Sequence, residues 1–260
     1  MSSELSGPGG RSSGAASGLL WQTLREVAAD RAAAAGRDRL DVVDVGGGTG
    51  GFAVPLAGLG HAVTVVDPSP DSLAAAQRRA AEAGVPLRAV QGDVSDLAAV
   101  AGEACADLVL CHSVLEYVDS PGAAMTAVAS LLRPGGVVSV VAASAVAAVI
   151  HRVLSGRFDE ARQMIAAASM PGQSAGDPAT GDPGAPPHRF TLAAVTELVE
   201  KAGLRAGSGH GLRVFTDLVP SMFTATDPGA ASALAALEEA AAAHPDFRGM
   251  ATQLHVLGFR

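Results

Sequence analysis

The stretch Asp44-Val45-Gly46-Gly47-Gly48-Thr49-Gly50-Gly51 constrains this chain more than any other. Val42, Val43 and Val45 lead into it, and an amphipathic segment with Phe52, Leu56 and Leu59 follows. A glycine turn between a strand and a helix lets backbone approach a ligand where the helix N-terminus offers free N–H groups. Ala62 to Val66 is apolar and β-branched, which predicts a strand buried on both faces and ending at Asp67. Ser69 or Asp71 caps a helix over 72–83 that Gly84 stops. Leu87 to Val90 reads as a third strand before Gly92-Asp93, and Asp107 to Cys111 as a fourth. A helix from about Gly122 to Leu132 runs into Arg133-Pro134-Gly135-Gly136, where the chain turns into a fifth strand, Val137 to Val141. Strands alternating with helices in units of roughly 30 residues imply a parallel sheet covered by helices on both faces.

The flanks are less regular. Residues 1–16 are Ser/Gly-rich and are expected to be a disordered tail, after which Leu20, Leu24, Val27 and Ala28 recur at helical spacing up to Gly36. His151 to Ala168 reads as one helix, followed by five Pro and four Gly in residues 170–187. Such a segment buries too little to fold alone, so it predicts a flexible loop or lid. Thr191 to Ala202 is a capped helix, Leu204 to Leu218 and Gln253 to Phe259 read as late strands, and Asp227-Pro228 opens an Ala-rich helix ending before Pro245. The expected organisation is one domain over 17–260, with 151–190 as a helical and Pro/Gly-rich insert or lid.

Charge and cysteine content exclude several classes. With net charge −8 and a single lysine, Lys201, any phosphate contact must come from arginine or backbone. Cys105 and Cys111 are the only cysteines and have no metal-ligand spacing, which argues against a disulfide framework or a zinc site and suits a reducing cytoplasm. The longest apolar run, Val137 to Ile150, is 14 residues, short of the roughly 20 that span a bilayer. Neither a membrane partner nor a metal is expected.

Gly46, Gly48 and Gly51 satisfy GxGxxG, and Asp67, 21 residues after Gly46, is placed to accept from ribose hydroxyls. Those features alone fit a dinucleotide as well as S-adenosylmethionine (SAM). Asp44 two residues before Gly46, with Gly46, Gly48 and Gly50, resembles the (D/E)xGxGxG first motif of class I SAM-dependent methyltransferases. Gly92-Asp93 resembles the family's acidic position at the adenine amino group, and Leu131-Leu132-Arg133-Pro134-Gly135-Gly136 its LLRPGG turn. The resemblance covers residues 36–142. It implies a Rossmann-like, doubly wound, mostly parallel seven-stranded sheet with helices on both faces, and SAM as cofactor.

Further segments are similar to the bacterial tRNA 5-carboxymethoxyuridine methyltransferases: His112 to Val118, His151-x-x-Leu154-x-Gly156-x-Phe158-Asp159, Gly211-x-Arg213-Val214-Phe215-x-Asp217, and Leu254-His255-Val256. That resemblance implies cofactor contacts from Gly46, Gly47, Asp67 and His112, with Val94 and Ser95 near the adenine. With the motif positions Asp44, Gly48, Gly50 and Asp93 these form the candidate cofactor set. Tyr117, His151 and Arg213 are the candidate acceptor contacts. The chain departs from that group at Ala16, where the group has an arginine, and at Ala142-Ala143-Ser144, where it has an aromatic and asparagine segment. Its lysine-rich run falls in the Pro/Gly-rich loop here.

The acceptor is therefore a small-molecule or nucleotide-like group, with tRNA as one case. A carboxylate acceptor needs no general base, whereas a hydroxyl or amine does, so no catalytic residue is assigned. Arg213 inside an apolar run needs an anionic partner, Asp217 or the substrate. Two other readings compete: a nicotinamide-dependent oxidoreductase resting on GxGxxG and Asp67, and a methyltransferase-like binding protein without turnover.

Overall fold

A computed structural model describes residues 14–168, 188–225 and 227–260. Five strands run parallel: β1 (Asp41–Val45), β2 (Ala62–Asp67), β3 (Arg88–Gln91), β4 (Ala106–His112) and β5 (Leu132–Ala143). β6 (Arg205–Leu212) and β7 (Gln253–Phe259) complete a sheet of order β3-β2-β1-β4-β5-β7-β6. β7 lies antiparallel between β5 and β6, with Ser139 opposite Leu257 and Val141 opposite His255. The expected Rossmann-like, mostly parallel seven-stranded sheet is the observed one.

Side-chain alternation divides the core into two layers. On one face Val43, Val45, Val109, Cys111, Val138 and Val140 pack under α5 (Pro121–Ser130) and α8 (Leu192–Lys201). On the other Val42, Val65, Leu108, Leu110, Val137 and Val141 pack under α1 (Gly14–Ala35), α2 (Ala53–Gly58) and α3 (Pro70–Glu82). Leu108, Leu110, Leu115 and Leu132 are wholly buried, each worth roughly 1.5–3 kcal/mol relative to exposure. Hydroxyl N-caps set the helix starts. Ser69, Ser120 and Thr191 accept backbone N–H bonds, and the first two precede a proline.

The RPGG turn is structural, at the amino ends of β1 and β4, the end of the sheet opposite the glycine loop. Arg133 bridges Asp41 (2.7 Å) and Asp107 (3.1 Å), and a Cβ on Gly136 would stand 2.9 Å from the Arg133 carbonyl oxygen. β5 begins at Leu132 rather than Val137, so the turn is a bulge within the strand, marked by a register shift against β4.

Several boundaries differ from the sequence expectations. Helix α1 starts at Gly14, inside the segment expected to be a tail, and residues 1–13 lie outside the described residues. The helix expected over His151 to Ala168 is two, α6 (Ala145–Leu154) and α7 (Phe158–Ala168), because Gly156 takes φ +72°. The Pro/Gly-rich loop lies outside the described residues. Its flanks meet nonetheless: Ser144 bridges Phe190, and the N–H of Ala145 donates to the Phe190 carbonyl (2.8 Å). The 145–189 excursion thus leaves and rejoins the body at the carboxyl end of β5. The strand expected over Leu204 to Leu218 ends at Leu212, and two helices follow, α9 (Met222–Ala225) and α10 (Pro228–Ala242). Among the described residues no helix is long and apolar enough to cross a membrane.

Candidate active site

The carboxyl ends of β1, β2 and β4 meet at the point where strand order reverses, the usual ligand crevice of an open parallel sheet. Gly46 and Gly48 there have φ +65° and +53°. A Cβ on Gly46 would stand 2.5 Å from Val114 Cγ2, and one on Gly47 2.6 Å from the Asp44 carboxylate. A side chain at either position would collide with Val114 or with Asp44 and Val65, so the turn keeps its shape only with glycine there.

Two carboxylates, Asp44 and Asp67, border the glycine cradle, and a third, Asp93, follows β3. Asp44 is 3 % exposed and its carboxylate accepts no hydrogen bond among the described residues. Burial, with the Asp67 charge adding to it, pushes its pKa up to about 7. Asp67 is buried too, but accepts from the N–H of Gly48 (2.9 Å) and of Ser69 (2.9 Å). A carboxylate has about four acceptor sites, so two remain on Asp67. Asp93 is exposed and its Oδ1 accepts from the Ser95 N–H (2.9 Å), which opens the short 3₁₀ turn Val94–Asp96 and leaves Val94 half-buried.

His112 closes β4. Its Nε2 lies 2.8 Å from Ser139 Oγ, its ring meets Phe52 edge to face at 5.1 Å, and its Nδ1 is buried without a partner. Burial lowers its pKa to about 3, so the ring is neutral. Ser113 beside it holds φ +54°, an uncommon conformation for a residue with a side chain and one found at functional sites.

The expected acceptor contacts do not converge in this way. Residues 114–117 form a turn just past His112, with Tyr117 61 % exposed. His151 is half-buried near the C-terminus of α6. Arg213 is not within a strand. It follows β6 at φ +62° and pairs with Asp217, so the anionic partner it needs is internal. Arg213 also lines a cavity of about 290 Å³ with Leu19, Gln22, Leu212, Ala235 and Glu239, and none of Asp44, Asp67, Asp93 or His112 lines it. No hydrogen bond or ion pair among the described residues joins Tyr117, His151 and Arg213.

Glu116 and Arg189 stand outside the candidate set read from the sequence. Glu116 is 2 % exposed; its Oε1 accepts from the Ala143 N–H (2.6 Å) and its Oε2 is buried without a partner. Burial raises its pKa, and the nearby Arg189 charge offsets part of that. Arg189 itself has a buried, unpartnered Nε. Glu116 and Arg189 are 73 positions apart in the sequence, and their proximity arises only when Phe190 returns to Ser144.

Comparison with known proteins agrees with this geometry. A methyltransferase-domain family matches residues 43–140. The tRNA 5-carboxymethoxyuridine methyltransferase of Escherichia coli K12 is 32% identical over 201 residues, 76% of this chain and 71% of that one. A ubiquinone biosynthesis O-methyltransferase of Methylobacterium nodulans is 42% identical over 100 residues, 38% of this chain and 39% of its own. In fold the chain is similar to magnesium protoporphyrin IX methyltransferase from Synechocystis, crystallised with bound S-adenosylhomocysteine. The TM-score is 0.59 at 16% identity, covering 98% of this chain and 90% of that one. With the glycine cradle, the ordered carboxylates and the sheet order, these likenesses establish that the chain belongs to the class I SAM-dependent methyltransferases.

Proposed function

We propose that the chain methylates a carboxylate oxygen of a nucleotide-like acceptor, a 5-carboxymethoxyuridine in tRNA being the specific case that its relative's name supplies. Bound SAM supplies an electrophilic methyl carbon on a sulfonium, and displacement in line with the sulfur needs alignment and exclusion of water more than acid–base help. Gly46, Gly47, Gly48 and Gly50 give close backbone approach, Asp67 takes the ribose hydroxyls, and Asp44 faces the cationic amino-acid end. Asp93 and Val94 flank the adenine, and His112 borders the reacting end. The α6–α7 hairpin covers the acceptor as part of the 151–190 insert. A cytoplasmic setting fits the two reduced cysteines.

The observation that carries the carboxylate reading is Arg189. Its Nε is buried with no hydrogen-bond partner among the described residues, and its charge acts on Glu116, whose carboxylate is tied to Ala143 at the end of β5. A planar carboxylate suits its fork better than a hydroxyl does. Arg213, half-occupied by Asp217, is the secondary candidate. A small-molecule O- or N-methyltransferase is the alternative, favoured by the exposed apolar side chains of Tyr117, Val153, Leu154 and Phe158.

Labelled methyl transfer from SAM to bulk tRNA decides between them. Label that mild base releases marks an ester. Label that enters only phenolic or amine acceptors supports the alternative, and binding of S-adenosylhomocysteine with transfer to no acceptor points to a binding protein. Arg189→Ala is expected to lose transfer while still binding S-adenosylhomocysteine, and loss in Arg213→Ala alone would move the clamp there. Asp67→Ala is expected to weaken S-adenosylhomocysteine binding roughly tenfold or more in calorimetry, because it removes two charge-assisted bonds to ribose. Unchanged affinity would remove Asp67 from that role.

A further inference from the structure

Three polar side chains, Ser139 and His255 buried and His112 half-buried, cross the α1-facing side of the sheet in one row. His112 on β4, Ser139 on β5 and His255 on β7 occupy the same alternation as Leu108, Leu110, Val137 and Val141, which pack on that side. Ser139 Oγ lies 2.8 Å from His112 Nε2 and 3.0 Å from His255 Nε2. Ser139 is wholly buried and His255 is 1 % exposed, so water does not substitute for either bond. Phe52 holds the His112 ring from one side, and His210 stacks on His255 at 5.9 Å and 23°.

Proton counting makes this row informative. A neutral imidazole has one donor and one acceptor nitrogen, and a serine hydroxyl has one proton. Both rings are neutral, because burial lowers each to about pKa 3. The hydroxyl cannot donate to both Nε2 atoms, so one ring must carry its proton at Nε2 and donate to Oγ. Two rings protonated at Nδ1 would leave a buried lone pair facing a lone pair.

We propose that His255 is a positioning residue which, through the single hydroxyl proton of Ser139, sets the nitrogen at which His112 carries its proton. In the ligand-free protein an orphaned buried lone pair is tolerated better than an orphaned N–H. His112 is therefore Nε2–H and donates to Ser139, Ser139 donates to His255 Nε2, and His255 is Nδ1–H. This leaves His112 Nδ1, the atom with no partner, as a fixed acceptor for an O–H or N–H group of the bound cofactor. The inference rests on the proposed placement of His112 at the cofactor. The sequence contains both histidines and the serine, but Ser139 and His255 are 116 positions apart and meet only because β7 inserts beside β5.

The test is ¹⁵N NMR of the imidazole nitrogens in the full chain, with and without saturating S-adenosylhomocysteine. The expected result is Nε2–H for His112 and Nδ1–H for His255 in the free protein. Both rings Nδ1–H would overturn the relay. Ser139→Ala and His255→Phe are expected to shift His112 away from pure Nε2–H and to weaken S-adenosylhomocysteine about tenfold, the worth of one misplaced hydrogen bond. His255→Gln, whose side-chain oxygen accepts where Nε2 did, should restore both within about twofold, as should Ser139→Thr. Equal loss in His255→Gln and His255→Phe, with an unchanged His112 tautomer, would mean that His255 only fills space. If His112 signals in the wild-type protein do not move on saturation, the cofactor contact fails, while the free-protein tautomers still decide the relay.

Discussion

Asp44→Asn is expected to raise the melting temperature of the ligand-free protein at pH 8 by about 10 °C while abolishing measurable S-adenosylhomocysteine binding. Asp44 ionises near pH 7 in the fold, because burial and then Asp67 oppose its charge, against 3.8 as its ordinary value. The folded state therefore holds a proton that the unfolded state has lost between about pH 4 and pH 7. Stability falls as pH rises through that window and the full cost is present above pH 7. A gap of about three pH units corresponds to about 4 kcal/mol, which at 2–4 °C per kcal/mol gives the stated shift. Asparagine keeps the shape and removes the charge, so the two proteins should unfold alike at pH 4 and diverge toward pH 8. The proposed role of Asp44 accounts for the cost: a buried carboxylate without a hydrogen bond among the described residues suits the ammonium group of the cofactor's amino-acid end. Wild-type affinity for S-adenosylhomocysteine should accordingly weaken as pH falls below 7, as Asp44 takes up its proton. Equal melting at pH 8, or binding retained in the variant, would mean that Asp44 has another partner.

The parts of the molecule legible in sequence are those whose physics is local. The glycine cradle needs residues without a Cβ within a few positions of one another, and Asp67 sits at the next strand end, so spacing alone placed them at one crevice. The strand ends of β1, β2 and β7 follow from short apolar runs bounded by turn residues. Where an element depends on distant residues, periodicity misreads it. Val214 and Phe215 look like strand, yet their N–H groups are drawn to Glu238, 24 and 23 positions away. The row His112, Ser139 and His255 requires β7 to lie antiparallel between β5 and β6, and no run of residues encodes which neighbour a strand will choose. The acceptor side depends on the closure of Ser144 on Phe190, which brings Arg189 beside Glu116 only once the excursion returns.

Glu238→Ala is expected to lower stability by about 3–5 kcal/mol, visible as a melting shift of roughly 10 °C, and to leave the response to S-adenosylhomocysteine intact. Glu238 lies on α10, 5 % exposed, and accepts from the N–H groups of Val214 (2.8 Å), Phe215 (2.9 Å) and Thr216 (2.6 Å) and from the Thr216 hydroxyl (2.6 Å). These bonds hold the turn after β6, which Arg213 enters at φ +62°. Arg213 then binds Asp217, which accepts from Thr252 Oγ1 (2.6 Å) at the start of β7. Alanine strands three backbone donors at once, each costing about 1–3 kcal/mol if buried dry; water entering from the adjoining 290 Å³ cavity keeps the total below their sum. Glutamine keeps one acceptor oxygen but turns an NH₂ toward N–H groups, so Glu238→Gln should lose at least half as much. β6 is four strand spacings from β1, roughly 19 Å. The cradle formed by Gly46, Gly48 and Asp67 should therefore keep its geometry in both variants. Thermal denaturation with and without S-adenosylhomocysteine separates the effects. If the ligand-induced shift also disappears, the turn after β6 is coupled to the donor site rather than merely stabilising the sheet edge. In that case Arg213 would act through the turn on the acceptor side, whatever its ion pair with Asp217.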